Sequence, residues 1–327
     1  EDFTLMLDES SLIQNETTKR SKFVLKKLNA KNIILLSGTP CSGKYENLWS
    51  QLHLLGWKIS KELYWNQFVD YKVDTSQGFP LITVLGYKNV DRLKSKMREY
   101  GCDFLKTEEV YDLPEQVEIP EKVECSKEYM IFRKDRVVDV GGKVLAGDTT
   151  LTKMLFERML CGQYSQDKLD ALKDLLESTE DRVIVFYNFN EELYKIEDIC
   201  KELDKPVSIV NGHERDLTCY EEYGNSITLI QYQAGSMGLN LQKACKIVYF
   251  TPPLSSELYE QSKKRTHRIG QDQKCQYYYL LCKGTIEERN LTNLRLGKEY
   301  NDYLFETELA VNSNWNGVGD CGFTNCN

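Results

Sequence analysis

Short apolar runs alternate with longer amphipathic stretches along most of this chain. Near its start, residues 3–7 and 32–36 are predicted to be buried strands, and residues 17–28 and 46–55 are predicted to be helices. This alternation predicts a parallel sheet with right-handed crossovers. The two apolar runs end in polar turns, Asp8-Glu9 and Gly38-Thr39-Pro40.

The alternation is more complete in the second half of the chain. The predicted strands are 183–187, 207–210, 227–232, 246–250 and 276–281, and the predicted helices are 167–178, 191–203, 217–222 and 256–267. Between the two halves the spacing of apolar residues is less regular. This region predicts a helix at 88–100, a linker at 113–120 and an edge-strand alternation over 117–126. Gly141-Gly142 and Gly147-Asp148 predict a flexible bridge.

These elements predict an α/β protein with two parallel-sheet lobes, which suits a length of 327 residues. We place the lobes at residues 1–140, including a linker, and 141–311. A flexible tail rich in Asn and Gly follows at 312–327. The strands and helices that should precede the Asp8-Glu9 strand are missing, so we expect the first lobe to be truncated at its N-terminal side.

Composition narrows the possible classes of protein. The net charge of −8 opposes nonspecific nucleic-acid binding by the protein as a whole, although it allows a local basic groove. The 11 cysteines form no Cys-x-x-Cys pair and the three histidines lie in no ligand-like spacing with them, so zinc is not expected. Scattered cysteines, no apolar run of about 20 residues and no leader-like start predict a reduced, cytoplasmic protein.

Residues 261–271 carry the most informative pattern, Gln-Ser-Lys-Lys-Arg-Thr-His-Arg-Ile-Gly-Gln. Arg265 and Arg268 are predicted to lie on one face of a short helix that Gly270 ends. Two guanidinium groups so placed suit a triphosphate, as an arginine finger does in phosphoryl transfer. Taken alone, the run is equally consistent with a solvated basic helix that ends in a glycine cap.

This string closely resembles the last motif of the Swi/Snf-related ATPases of helicase superfamily two. Four upstream segments resemble the earlier motifs of that family in the expected order. They are residues 5–11 (Walker B), 36–40 (motif III), 183–188 (motif IV) and 233–242 (motif V). The resemblance implies two RecA-like lobes, and the short connections look most like the compact phage or bacterial members.

The resemblance also implies roles for individual residues. Asp8 would help to hold Mg²⁺ through water, and Glu9 would polarise the attacking water as a general base. Arg265 and Arg268 would reach the γ-phosphate of ATP when the lobes close. The residues expected to bind ATP or couple its hydrolysis are Ser37, Thr39, Gly238, Asn240 and Gln261, and those expected to contact nucleic acid are Asn211, Gly212 and Gly235.

Each assignment has a plainer alternative. The two acids could be a solvated pair at a strand end, and the glycines of residues 233–242 could form an ordinary strand-to-helix turn. His267 is expected to be a packing or hydrogen-bonding residue, and Trp49 is expected in the core. Ser11 departs from the Asp-Glu-x-His form of the family, which puts only the coupling step in doubt.

A second motif in the chain imitates a phosphate-binding loop. Residues 38–44 satisfy the first seven positions of the G-x-x-x-x-G-K-[ST] pattern and follow a predicted strand. Tyr45 stands where a small hydroxyl should hold Mg²⁺, and Pro40 removes one N–H from the cradle. The order is also reversed, because this loop follows the Walker B segment. Motif III is the better assignment.

The function expected from the resemblance is ATP-driven translocation along double-stranded DNA, with ATP and Mg²⁺ as cofactors. Because the phosphate-binding loop is missing, we expect this chain to be inactive by itself and to need a further N-terminal segment or a partner chain. Two rivals remain open. One is another superfamily-two enzyme, such as an unwinding helicase or a restriction-system motor; the other is a non-catalytic DNA-binding or scaffold module.

Overall fold

The computed structural model describes residues 2–41, 43–75, 80–105, 111–235 and 238–305. The chain divides into two compact units. Unit 1 comprises Glu1–Phe104 with Lys298–Asn327, and unit 2 comprises Leu105–Gly297. The lobe boundaries predicted at residues 140 and 311 differ from this division and stay predictions. The predicted tail, residues 312–327, lies outside the described residues.

Unit 2 is built on a six-stranded parallel sheet with the strand order β5-β12-β11-β8-β10-β9. The strands are β5 (Gln116–Val123), β8 (Val183–Tyr187), β9 (Val207–Val210), β10 (Ile227–Gln231), β11 (Lys246–Tyr249) and β12 (Cys275–Cys282). The predicted α/β class is confirmed. Five of these strands match the apolar runs of the sequence to within one residue at each end.

Both faces of this sheet are buried, as expected where helices cover a parallel sheet on both sides. All five residues of β8 are buried, and they alternate between two cores. Ile184 and Phe186 enter one core, while Val183, Val185 and Tyr187 enter the other. Burying an apolar side chain of this size contributes about 1.5–3 kcal/mol, so this central strand anchors both layers.

Strand β5 corrects the sequence-based picture of residues 113–126. The predicted linker over 113–120 is wrong for its second half, because Gln116–Val123 pairs with all eight residues of β12. The predicted edge position is right, and it explains how the strand accommodates Pro120, which has no N–H to donate to a ladder. The predicted lobe boundary at residue 140 assigns this segment to the first lobe, whereas the segment completes the sheet of unit 2.

The helices of unit 2 surround this sheet, with a small hairpin between two of them. The helices are α5 (Lys127–Asp135), α6 (Thr150–Cys161), α7 (Gln166–Glu177), α8 (Asn190–Glu202), α9 (Thr218–Glu222), α10 (Tyr232–Gly235), α11 (Ser256–Lys263) and α12 (Ile286–Phe305), the last of which continues into the residues of unit 1. The predicted flexible bridge at Gly141-Gly142 is wrong. These glycines form the turn of an antiparallel hairpin of β6 (Val137–Val140) and β7 (Lys143–Ala146).

Unit 1 contains smaller elements. They are β1 (Thr4–Leu7), α1 (Lys19–Lys27), β2 (Asn32–Leu35), α2 (Trp49–Leu54), α3 (Lys61–Phe68), β3 (Val69–Asp74), β4 (Leu81–Tyr87) and α4 (Val90–Glu99). Strands β1 and β2 pair in parallel, as the strand–helix–strand order predicts, and β3 and β4 form an antiparallel hairpin. The helix predicted over 46–55 begins as a 3₁₀ turn at Tyr45–Leu48 before α2.

Strands β1 and β2 were predicted to be buried, and this part of the prediction is wrong. Both strands alternate exposed and half-buried positions, with Met6 60 % and Ile34 41 % exposed. In a two-stranded sheet only alternate side chains meet a covering layer, whereas the apolar run alone predicts burial on both faces. The core of unit 1 lies instead among α2, α3 and α4, around Trp57, Tyr64 and Phe68.

Candidate active site

The acidic pair follows directly after β1. Asp8 is exposed and Glu9 is half-buried, and the backbone N–H of Glu9 donates to Asp8 Oδ1 at 3.0 Å. Glu9 has a left-handed backbone with φ 52°, a conformation that costs a non-glycine residue roughly 1–2 kcal/mol. Strain of this kind is concentrated at functional sites. The Ser10 N–H donates to Leu36 O at 2.9 Å, which ties this turn to the end of β2.

The loop after β2 carries the two hydroxyl residues of motif III. The Thr39 N–H donates to the Ser37 hydroxyl at 3.2 Å. Thr39 is buried, and its Oγ1 has no hydrogen-bond partner among the described residues. Gln51 connects this loop to the acidic turn, because its Nε2 donates to Pro40 O at 2.6 Å while its Oε1 accepts from Ser10 Oγ at 2.8 Å. No local pattern in the sequence marks Gln51.

Two backbone N–H groups of the imitation phosphate loop are engaged by neighbouring residues. A phosphate-binding loop needs backbone N–H groups that point at the ligand. Here the N–H of Thr39 is engaged by Ser37, and the N–H of Lys44 donates to Cys41 O at 2.8 Å. Tyr45, which replaces the small hydroxyl residue, is 1 % exposed. The geometry therefore favours motif III over a phosphate-binding loop at residues 38–44.

In unit 2 the arginines do not lie within a helix, and the predicted helix over 256–267 is too long at its C-terminal end. Helix α11 ends at Lys263, and Arg265 and Arg268 lie in the turns that follow. Leu241 N–H donates to Arg265 O at 3.1 Å and occupies the carbonyl that a continuing helix would use four residues later. Gly270 then turns the chain with φ 94°, a conformation that favours glycine.

Motifs V and VI are joined by further contacts. Arg268 Nη1 donates to Asn240 Oδ1, which orients one of the two guanidinium groups. Gln271 Nε2 donates to Ala244 O at 2.9 Å. Leu241 is fully buried beneath these contacts. The segments 239–244 and 265–271 therefore form one connected surface, and they lead into the amino ends of β11 and β12.

A second anchor of the arginine segment comes from the residues around the start of β5. The ring of His267 lies between Pro114 O, 2.8 Å from Nε2, and Gln116 Nε2, 3.1 Å from Nδ1. Because a carbonyl can only accept, Nε2 carries the proton and Nδ1 accepts from Gln116. His267 is thus a hydrogen-bonding residue. Sequence reasoning missed Gln116, which lies 151 positions away from His267.

Glu118 of β5 holds the end of α11 in the same way. Its Oε1 accepts from Lys263 Nζ at 2.5 Å, and its Oε2 accepts from Arg295 Nη2 at 2.6 Å. Burial by itself would raise the pKa of this carboxyl, but the two cations outweigh burial and lower its pKa to about 2. The carboxylate is therefore charged at neutral pH and fixes Lys263, two residues before Arg265.

The remaining predicted residues are only partly described. Gln261 Nε2 lies 3.4 Å from Glu257 Oε1, and Gln261 Oε1 is buried with no hydrogen-bond partner among the described residues. Gly238 has φ 65° and open space around it. Gly235 ends α10, and positions 236 and 237 lie outside the described residues.

The predicted nucleic-acid turn follows β9. Asn211 Oδ1 accepts from the backbone N–H groups of His213 at 2.8 Å and Glu214 at 2.9 Å, so it closes a local turn. Gly212 is exposed, and a Cβ at this position would meet nothing within 4 Å. The turn is open to solvent, but this glycine is not required by packing.

Comparison with known families bears directly on these motifs. The SNF2-related domain matches residues 3–168, and the Helicase conserved C-terminal domain matches residues 167–270. The chain belongs to the SNF2-related family. The predicted Swi/Snf resemblance is thereby confirmed, and the boundary between the two family matches falls at the start of α7, inside unit 2.

Curated SNF2-related proteins from distant organisms are similar to most of this chain. The SWI/SNF-related matrix-associated actin-dependent regulator of chromatin subfamily A-like protein 1 of Xenopus laevis is 25 % identical over 87 % of the chain and 31 % of its own length. The human subfamily A member 1 is 26 % identical over 87 % and 30 %, and an uncharacterized ATP-dependent helicase of Mycoplasma pneumoniae is 24 % identical over 87 % and 29 %. The chain thus spans about a third of the length of these relatives.

Among solved structures, the C-terminal part of the Fun30 ATPase domain is similar to this SNF2-related chain. The identity is 21 %, the TM-score is 0.38, and the likeness covers 44 % of this chain and 55 % of the other. Within the described residues, no helix has the length and apolar character needed to cross a membrane.

Unit 2 of this SNF2-related chain also holds a buried cluster that cysteine spacing did not reveal. Cys161, Cys282 and Glu287 place ligand-type atoms within 4.8 Å of one another. Both carboxylate oxygens of Glu287 accept from Lys168 Nζ at 2.6 Å. The position that a cation would take beside Glu287 is therefore filled by an ammonium group, and the cluster is better explained as a buried ion pair next to two thiols.

Proposed function

We propose that this chain forms part of a DNA-stimulated ATPase that moves along double-stranded DNA. The observation that carries the proposal is the joined surface of motifs V and VI, in which Asn240 orients Arg268 and Leu241 holds the Arg265 carbonyl. Such contacts prepare a guanidinium group for a fixed anionic target, and an arginine finger is worth 10³–10⁵ in rate. A scaffold has no chemical need for them.

The proposed roles of the acids follow from their position at the end of β1. Carboxylate oxygens are the ligands that Mg²⁺ prefers, and the exposed Asp8 can hold the ion through water. The ion supplies charge neutralisation for the phosphates. Glu9 orients and deprotonates the attacking water, and Ser37 and Thr39 couple the acids to the nucleic acid. The buried, unpartnered Thr39 hydroxyl is available for that contact.

On the side of unit 2, Arg265 and Arg268 stabilise charge on the transferred phosphoryl group. Gln261, with its unpartnered amide oxygen, and the turn at Gly238 and Asn240 contact the nucleotide. Asn211, Gly212 and Gly235 contact the nucleic-acid backbone. Asn211, Gly212 and Gly235 follow the carboxyl ends of β9 and β10, the edge at which parallel α/β sheets bind ligands.

The phosphate-binding loop is proposed to come from polypeptide outside residues 1–327. Within residues 38–44 the N–H groups of Thr39 and Lys44 are engaged locally, and the relatives are about three times longer than the matched region. Residues 1–327 alone should then hydrolyse ATP no faster than a control without protein. Robust turnover by this chain would return residues 38–44 to consideration as a phosphate loop.

The decisive experiment replaces Arg268 in the full-length protein. Arg268→Ala should lower DNA-stimulated ATP hydrolysis by 10³-fold or more while a fluorescent ATP analogue still binds with nearly unchanged affinity. Arg289→Ala, which removes an exposed arginine of α12, is the matched control and should keep normal turnover. Normal turnover in Arg268→Ala would remove the finger assignment.

The alternative function is a non-catalytic DNA-binding or scaffold module, favoured by the locally engaged N–H groups of Thr39 and Lys44. Absence of DNA-stimulated turnover in the wild-type full-length protein would support it. A strand-displacement assay on the same protein separates a translocase from an unwinding helicase, because only the latter releases a labelled strand.

A further inference from the structure

Helix α1 carries an unusual concentration of positive charge. Five of its nine residues are basic, it contains no acid, and all five basic side chains are exposed. They are Lys19, Arg20, Lys22, Lys26 and Lys27. This helix belongs to unit 1 of a chain with a net charge of −8, so the patch runs against the overall charge.

None of these five side chains forms an ion pair with another described residue. Two acids that precede the helix in sequence pair with other lysines. Glu16 pairs with Lys61 at 2.5 Å, and Asp2 pairs with Lys31 at 2.9 Å. The positive charge of α1 is therefore uncompensated within the described part of the chain.

The folded helix sorts its residues into a buried face and a basic face. Ser21 and Val24 are buried, and Thr18 caps the helix by accepting from the Ser21 N–H at 3.2 Å. Lys19, Lys22 and Lys26 follow one another at helical spacing and form a first stripe. Arg20 and Lys27 form a second stripe beside it, with Phe23, 56 % exposed, between them.

This arrangement is unfavourable for the helix by itself. Lys19 and Arg20 lie in the first turn, where the helix dipole disfavours cations by about 0.3–1 kcal/mol each. The like-charged pairs 19/22 and 22/26 each cost roughly 0.2–0.5 kcal/mol more. An anionic partner along this face would remove both penalties, and a single small anion could not reach both ends of the stripe.

We propose that the basic face of α1 docks the phosphodiester backbone of duplex DNA. Lysines dominate the face, and lysine contacts phosphate as a flexible point charge without reading sequence. The face offers repeated charges along one line with a single apolar residue, which suits a regular polyanion better than a folded acidic protein. The choice of DNA rests on the proposed function, whereas the charge pattern does not.

The test uses residues 1–327 and a fluorescein-labelled duplex of about 20 base pairs, with anisotropy titrations between about 50 and 200 mM KCl. Replacing Lys19, Lys22 and Lys26 with Gln should weaken binding at the lowest salt by more than tenfold. It should also make the plot of log affinity against log salt shallower by about 2.7, since each lost phosphate contact contributes about 0.9. The corresponding triple Arg variant should keep the wild-type slope.

The matched control replaces Lys173, Lys201 and Lys243 with Gln, which removes the same charge from lysines that are each already paired with an acid. It should bind within twofold of wild type. Equal losses in both triple variants would overturn the inference in favour of a net-charge effect. Three other results would also overturn it. They are a wild-type salt slope in the α1 variant, no duplex binding by the wild-type protein at about 50 mM KCl, and competition by polyglutamate as strong as that by unlabelled duplex at matched charge.

Thermal unfolding followed by circular dichroism checks that the α1 variant is folded, since removing repulsion should leave the melting temperature unchanged or higher. The result of the duplex-binding titration does not depend on ATP hydrolysis. Arg268→Ala should keep the full salt slope of duplex binding, so failure of the ATPase proposal and failure of the α1 docking surface are observed in different assays.

Discussion

Glu192 on α8 is a fully buried acid. Its hydrogen-bond partners favour the ionised carboxylate, whereas burial disfavours it. Its Oε2 accepts from the N–H groups of Asn188 at 2.9 Å and Phe189 at 3.2 Å, and the Thr251 hydroxyl donates to it at 2.9 Å. Burial outweighs these contacts and raises the pKa of Glu192 to about 6. The acid closes the turn after β8, next to the carboxyl edge of the sheet.

This shift predicts a pH dependence of stability. The folded protein holds the Glu192 proton up to a pKa of about 6, against an ordinary value of 4.5. The contribution of Glu192 to the free energy of unfolding is therefore fully present below pH 4.5. It declines by about 2 kcal/mol as the pH rises through 6. Glu192→Gln cannot ionise, so urea unfolding from pH 4 to 7.5 should show the variant gaining about 2 kcal/mol relative to wild type. Parallel stability curves for the two proteins would contradict this.

At the scale of elements, the arginine segment is positioned by contacts on two sides. Motif V contacts it through Leu241 and Asn240, and the residues around the start of β5 contact it through Pro114 and Gln116. Helix α11 supplies only the approach, because it ends at Lys263. Rigidity of Arg265 and Arg268 therefore depends on three segments that are far apart in the sequence.

His267 provides the test of that positioning. His267→Ala removes both contacts to Pro114 and Gln116, and a misplacement of about 1 Å can cost 10²-fold in rate. We expect DNA-stimulated kcat in the full-length protein to fall by roughly 10²-fold, with KM for ATP nearly unchanged. His267→Gln keeps a donor near the Nε2 position and should recover most of the rate.

The specific role of His267 is separated from a general loss of stability by a double variant. If His267 acts through Arg268, the Ala substitution should lower kcat little further in the Arg268→Ala background. Equal losses for His267→Ala and His267→Gln, or a full additional loss in the double variant, would exclude a positioning role.

At the scale of the whole molecule, the two units differ in how their sheets are built. Every strand of the six-stranded sheet comes from Leu105–Gly297, and both cores on its faces are formed by residues of the same range. Unit 1 contains two-stranded sheets, which are marginal without further packing. Stability should therefore be concentrated in unit 2.

A polypeptide of residues 105–297 is accordingly expected to fold by itself. It should unfold cooperatively by circular dichroism, and the amides of β8, β10 and β11 should be the most protected from hydrogen exchange, since these strands lie in the middle of the sheet. Loss of protection in these strands on removing residues 1–104 would show that the sheet depends on unit 1.

The sequence by itself determined the order of elements, the α/β class and the chemical character of each motif. The apolar runs located β8 and β9 to the residue, because a short apolar run between polar segments is a local signature of a strand. The motif residues 261–271 also identified the arginines before any contact was known. These are local properties of neighbouring residues, and a linear pattern contains them.

Only the tertiary structure decided where α11 ends, which groups hold Arg268 and His267, and which strands are exposed. Leu241 N–H binds the Arg265 carbonyl, Gln116 fixes a ring 151 positions away, and β5 joins the sheet of unit 2. Such outcomes depend on hydrogen bonds and burial between segments distant along the chain, where packing overrides the local preference for a longer helix or a linker.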